Sequence, residues 1–444
     1  MYVTRPLSRY LADPKATAEP PPEGPGSGFL VVLDEATEQA STLCCGLCLD
    51  PRVRRLPFPQ NRQLSVKQGN SSDPLEGFGK CIDVISEILG IALQVLRPDD
   101  PSGGGRPPGA GRYMAPPDYV MFVPVIGQPL SSGRYYVVKV DGKHTGKVST
   151  CSKEEDRTEC CFRSFPTDVK PRAFDHGDLY QQMQVQQHRE GFKAEAVAED
   201  GIPPDYLLKK GWTVVAMAKP KYHDLDDDAR GVDSALRDRM PDLGSLGVPP
   251  AAVVVGRWYV PFLFVKADGE RRLKDQVRKS TFYKMTMEQS WEQIYSRENA
   301  THLQGTGSSS TRLEIAVTAT VRRFTALLGG TSPVQAGAPQ ADDGALWFRP
   351  ATAARTTVEG VGLDMVLWER MRWEVERGGR WVAATGNGDE ERIQRTERRD
   401  DGLGHWSKFG CYLLVERFVL RRMDGTVALT CEFRHTDKIK AKWL

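Results

Sequence analysis

The chain lacks a surplus of either charge. Its 60 lysines and arginines nearly cancel its 58 aspartates and glutamates, leaving a net +2. Bulk charge therefore gives no ground for expecting a nucleic-acid partner. A long apolar run is missing too: no window approaches the roughly 18 apolar residues that cross a bilayer. The opening Met1-Tyr2-Val3-Thr4-Arg5-Pro6-Leu7-Ser8-Arg9-Tyr10 has none of the basic, apolar and small-residue regions of a secretory leader. There is no Gly-x-Ser-x-Gly elbow and no phosphate-cradling loop, and the 7 histidines are scattered without a helical pair. No internal repeat is visible. These absences predict a soluble intracellular protein, cytoplasmic or nuclear, with no recognisable catalytic motif.

What is present is an ordinary globular composition, 40% hydrophobic and 27% charged over 444 residues, enough for two domains. The pattern predicts an α+β, β-rich fold with predominantly antiparallel sheets, hairpins and few helices. Residues 1–28 read as an extended Pro/Gly-rich segment, 29–240 as a β-rich α+β domain and 252–444 as a second β-rich domain. Breakers Pro241, Gly244, Gly247, Pro249 and Pro250 separate the two domains. The stretch 98–117 reads as a disordered loop and 331–343 as a flexible insertion.

Periodicity predicts a helix over Cys81 to Leu96 and strands over Phe29 to Leu33, Tyr119 to Val125 and Arg134 to Val140. Asp141-Gly142 and Asp424-Gly425 mark hairpin turns. Arg312 to Arg322 alternates as a half-buried strand, Met285 to Glu298 reads as a possible helix, and Met365 to Arg377 fits neither period. In the last hairpin Tyr412, Leu414, Glu416, Phe418 and Leu420 share one strand face, apart from Arg417 and Arg421 on the other. That separation favours core packing over a nucleic-acid stacking surface.

The candidate chemistry sits in three places. Cys44, Cys45 and Cys48 form a tight cluster, and Cys45 and Cys48 have the two-residue gap that lets two thiolates face one zinc ion. Cys160 and Cys161 would supply further ligands, although an adjacent pair is awkward for one tetrahedral ion. The leucines around the first cluster favour buried free thiols instead, so no cofactor is expected and zinc is the minor reading. S-acylation of the cluster beside Arg52, Arg54 and Arg55 would give a peripheral membrane contact. The third place is the acidic turn Glu154, Glu155 and Asp156, where paired carboxylates offer general acid–base chemistry or simply a solvated turn. The acidic run beside His223 lacks the spaced ligands of a calcium loop.

Several segments carry a resemblance: Met1 to Ser8, Pro21 to Pro25, Leu56-Pro57-Phe58-Pro59-Gln60-Asn61, Pro129-Leu130-Ser131-Ser132-Gly133-Arg134-Tyr135-Tyr136, Ser152 to Asp156, Gly256 to Tyr259 and Phe409 to His435. In these the chain resembles the plant domain-of-unknown-function family 1262. The resemblance implies a land-plant origin and a soluble protein. It brings no activity, substrate or catalytic residue.

The expected function is a non-enzymatic binding or scaffold protein that recognises a protein partner or a ligand. The alternative is an enzyme whose carboxylates or Cys/His groups meet only in the fold. A pore-forming β-protein would need a Ser/Thr-rich amphipathic hairpin to accompany the 312–322 strand, and the sequence offers none.

Overall fold

The computed structural model describes residues 1–39, 42–43, 48–49, 51–68, 117–153, 155, 157–160, 163–166, 168–217, 225–244, 251–267, 273–299, 313–334, 340–342, 344–350, 360–378, 390–399 and 406–444. The expected helix from Cys81 to Leu96 and nearly all of the 98–117 loop lie outside them. The fold is β-rich α+β with mostly antiparallel sheets, as the alternation predicts.

The elements used below are, in chain order, β1 (Tyr2–Pro6), α1 (Leu7–Ala12), β2 (Gly28–Val32), β3 (Leu64–Lys67), β4 (Asp118–Pro124), β5 (Arg134–Lys139), β6 (Gln182–His188), β7 (Gly191–Ala196), β8 (Thr213–Ala216), α2 (Ser234–Arg239), β9 (Val253–Pro261), β10 (Phe282–Glu298), β11 (Leu313–Arg322), β12 (Phe324–Leu328), α3 (Met365–Gly378), β13 (Glu390–Arg399), β14 (Lys408–Arg422) and β15 (Val427–Trp443).

One large sheet runs β2-β1-β9-β10-β14-β15-β12. It takes strands from both halves of the chain, because β1 joins β9 antiparallel through Tyr2 and Tyr259 while β2 lies parallel to β1. The first 28 residues, expected to be extended, instead hold β1, α1 and a 3-10 turn at Pro14–Ala18, with Met1, Tyr2 and Val3 in the core. A proline-rich composition hid them, but Pro6 sits at the N-cap of α1 and Pro14 opens the turn, where proline is tolerated.

The second sheet runs β7-β6-β5-β4-β3-β8. Phe192 N donates to Trp212 O at 2.8 Å and Gly211 N to Phe192 O at 2.8 Å, which draws β7 against the chain entering β8. The sheet thereby closes into a small barrel. Alternation then sorts its side chains. Val120, Phe122, Tyr135 and Val137 point into the barrel, whereas Met121, Val123, Tyr136 and Val138 face the large sheet and join its core. Phe58 fills the barrel centre, 4.4 Å from the Phe122 ring and 4.9 Å from Phe192, while Phe122 stacks on Trp212.

Met285 to Glu298 is strand, not helix: it belongs to β10, where Met285, Met287, Gln289 and Trp291 alternate inward. Both periods fit a short run of Met, Gln and Trp, and pairing with β9 and β14 on either side decides for strand. Met365 to Arg377 resolves as α3. The 331–343 insertion carries short strands at Ser332–Pro333 and Gln340–Asp342. The alternating strand β11 pairs with β13, a partner rich in Glu and Arg rather than in Ser and Thr.

Two glycines explain parts of the segments noted above. Gly133 ends a 3-10 turn with φ +61°, and a Cβ there would lie 2.3 Å from Val185 O. A Cβ on Gly256 would lie 2.6 Å from the Trp258 ring.

Candidate functional site

The apolar face of the large sheet is interrupted by one polar row. Gln289 on β10 pairs with Glu416 on β14, and His435 on β15 sits diagonally beyond. Arg237 from α2 descends on this row, its Nε donating to Glu416 Oε1 and its Nη2 to Oε2, each at 2.7 Å. Gln289 Nε2 donates to Glu416 Oε1 at 2.9 Å, and His435 Nε2 lies 2.9 Å from Oε2. The carboxylate can only accept, so Nε2 carries the proton. Among the described residues His435 Nδ1 has no hydrogen-bond partner. Arg237 also reaches Glu374 on α3, whose carboxylate is met by Arg370 at 2.8 Å and Arg377 at 2.6 Å. Trp373 receives Arg370 and Arg377 over its ring at 4.7 and 4.8 Å.

The Glu374, Glu416 and His435 side chains are 0% exposed, and Arg237 is 6%. Burial works to raise the Glu416 carboxyl, but the bonds from His435 and Arg237 outweigh it and hold it at about 2. For Arg237, burial works downward, and Glu416 more than offsets it, so the guanidinium ends above its ordinary value. A carboxylate so stabilised neither takes nor gives a proton near neutral pH. The network docks α2 and α3 on the sheet.

A second polar group lies on the barrel. Lys139 Nζ sits 2.7 Å from Asp118 and 3.5 Å over the Tyr206 ring, and burial lowers its pKa. Tyr206 OH is 2.7 Å from Ser149 Oγ. Ser149 is only 1% exposed, which puts this hydroxyl out of a substrate's reach.

At the junction of barrel and large sheet lies a cleft of about 330 Å³. Tyr10, Leu11, Pro14 and Thr17 come from α1 and the 3-10 turn, which Asp13 caps through Lys15 N. Arg55, Leu56 and Pro57 come from the loop that carries Phe58 into the barrel. Leu130 and Ser131 come from the turn that Gly133 closes. Leu11, Pro14, Leu56, Pro57 and Leu130 give the lining its apolar part, Tyr10, Thr17 and Ser131 add hydroxyls, and Arg55 is the charged lining residue.

The residues singled out from sequence do not converge on the network or the cleft among the described residues. Cys44, Cys45, Cys161, Glu154 and Asp156 lie outside them. Cys48 falls in a short hairpin with Thr42–Leu43, and Cys160 in another with Arg163. Glu155 is exposed, its side chain 3.8 Å from Lys153. No group of three His, Cys, Asp or Glu able to hold a metal occurs among the described residues. The polar row was missed, although Glu416 within an apolar face was its visible trace.

The molecule is thus a β-rich α+β protein with a sealed ionic core and an open junction cleft. Residues 23–162 match the family model described as "Protein of unknown function (DUF1262)", which supports the resemblance over β2 and the first half of the barrel. No curated protein matches. Among solved structures, the crystal structure of Cry35Ab1 is similar at a TM-score of 0.38 and 8% identity, covering 73% of this chain and 79% of that one. A likeness at that score defines neither fold nor function here. No helix among the described residues is long and apolar enough to cross a membrane.

Proposed function

We propose that this is a non-enzymatic binding protein that captures its ligand in the junction cleft. One observation carries the reading: residues 10–17, 55–57 and 130–131, far apart in sequence, converge on a cleft of about 330 Å³ lined mainly by leucine, proline and tyrosine. That is the lower end of the size range of small-molecule sites, which favour such junctions. The carboxylates and guanidinium groups of the buried network are held away from the cleft by partners of their own. Two cleft walls come from segments that carry the family resemblance, which also supports a land-plant origin. The free thiols Cys151, Cys411 and Cys431 support a reducing, intracellular setting.

The test is ligand-observed NMR of the full chain with a panel of small neutral aromatic and aliphatic fragments. The control is Ser131→Trp, which crowds the cleft from an exposed position. Saturable binding that Ser131→Trp removes is expected. Fragments that bind equally to both proteins, or to neither, would sink the cleft as a site.

A further inference from the structure

We infer, resting on the binding role proposed for the cleft, that its ligand is a small amphiphilic carboxylic acid. Size sets the first limit. A volume of about 330 Å³ holds roughly 11 waters at ~30 Å³ each, or an organic molecule of about a dozen heavy atoms. Chemistry sets the second. Leu11, Leu56, Pro57 and Leu130 offer an aliphatic surface, while Tyr10 adds an aromatic wall. Leu11 is one of the large apolar side chains left exposed, 39% accessible, where a ligand would cover it.

Charge sets the third limit. Arg55 is the charged residue lining the cleft, and it is exposed. It makes no ion pair among the described residues, unlike Arg9 on the neighbouring helix, which pairs with Glu19. A planar guanidinium matches a carboxylate by two parallel N–H···O bonds. One arginine balances one negative charge, which fits a carboxylate better than a phosphate monoester carrying nearly two. Ser131, also exposed, adds a hydroxyl donor at the same cleft. The leucines and Pro57 take the hydrocarbon part and Arg55 takes the head group.

The test titrates the full chain by calorimetry with octanoate and with octanamide, its uncharged counterpart, using wild type, Arg55→Gln and Ser131→Trp. Both substitutions are at exposed positions, and unchanged thermal unfolding confirms that the fold is kept. Octanoate is expected to saturate one site and to bind at least about tenfold more tightly than octanamide. Arg55→Gln should remove that tenfold advantage and leave octanamide unaffected, and Ser131→Trp should abolish both. Equal affinity for the two compounds, or octanoate binding untouched by Arg55→Gln, overturns the carboxylate while leaving the cleft as a site. Absence of octanoate binding overturns it as well, and the neutral fragment panel then decides separately whether the cleft binds anything.

Discussion

The carboxamide of Gln60 acts as a short piece of strand against Val31. Its Oε1 accepts from Val31 N at 2.6 Å, and Gln60 N donates to Val31 O at 2.8 Å. The same amide's Nε2 donates to Phe58 O at 2.7 Å and to Phe122 O at 2.8 Å. Asn61 repeats the device on Leu33, accepting from its N at 2.9 Å and donating to its O at 3.0 Å. Two side chains thus cover the outer edge of β2, an edge that would otherwise offer unpaired backbone groups.

Gln60→Ala should destabilise the protein by about 3 kcal/mol, because it strands Val31 N and two carbonyls in the interior. The double variant with Asn61→Ala should also self-associate through the bared edge. Urea unfolding and size-exclusion chromatography check the two parts. A monomeric double variant of wild-type stability would show that the amides are incidental.

Phe58→Ala should cost about 3–5 kcal/mol, since it empties the centre of a closed barrel that cannot collapse around the void. Phe58 has four aromatic neighbours, Phe122, Tyr135, Phe192 and Trp212. Loss of near-ultraviolet circular dichroism, with the far-ultraviolet β signal kept, is the expected signature at intermediate denaturant.

The ionic core predicts an acid-sensitive stability. The Glu416 carboxyl is lowered from 4.5 to about 2, so the folded state binds its proton less tightly than the unfolded state. Its contribution, about 3 kcal/mol, is present above pH 4.5 and is lost as pH falls from there towards 2. Unfolding free energies between pH 7 and pH 2 should fall more steeply for wild type than for Glu416→Gln. At pH 7 that variant should be weaker by about 3–5 kcal/mol, because buried Arg237 loses its bidentate carboxylate and keeps only Glu374, which Arg370 and Arg377 already share. Parallel curves for the two proteins would remove the network from the account of acid stability.

His176 predicts the opposite dependence. Its Nδ1 lies 3.1 Å from Asp364, whose carboxylate also caps α3 through Val366 N at 3.0 Å. The Asp364 bond raises the His176 pKa, with burial acting against it. A raised folded pKa stabilises fully below the ordinary value of 6.5 and is lost as pH rises through the folded value. The ring is 37% exposed, so the effect should stay under about 1 kcal/mol. Wild type and His176→Gln should therefore differ in Tm at pH 5.5 and converge by pH 9.

Strand alternation was readable wherever one face is buried. Phe29 to Leu33, Tyr119 to Val125, Arg134 to Val140 and the terminal hairpin fall within a residue or so of β2, β4 and β5 or inside the longer β14 and β15. The face shared by Tyr412, Leu414, Glu416, Phe418 and Leu420 is buried, and so are Leu413, Val415 and Val419 on the other face, where only Arg417 and Arg421 keep partial exposure. Partners were not readable. Nothing in the sequence pairs Arg237 with Glu416, because 179 positions separate them and an arginine in a short polar helix looks solvated. Nor do the two prolines of Leu56 to Asn61 disclose more than that the stretch suits neither a helix nor a central strand. Its two amides do their work by imitating a backbone, and pattern rules have no entry for that. The cleft was equally hidden, since it exists only where three distant segments meet.

The order of strands in the large sheet dictates an order of assembly. The barrel is built from residues between 52 and 216, so all of its strands, including β8 that returns to pair with β3, lie in the first half of the chain. Strand β1, by contrast, waits for β9, whose Tyr259 lies 257 positions after Tyr2, and the sheet beyond needs β14 and β15 near the end of the chain. During synthesis the barrel can close first. Its outward-facing Met121, Val123, Tyr136 and Val138 stay bare until the large sheet forms against them. Long-range docking of this kind slows folding, and the apolar outer wall of the finished barrel is the surface that needs cover in the interval.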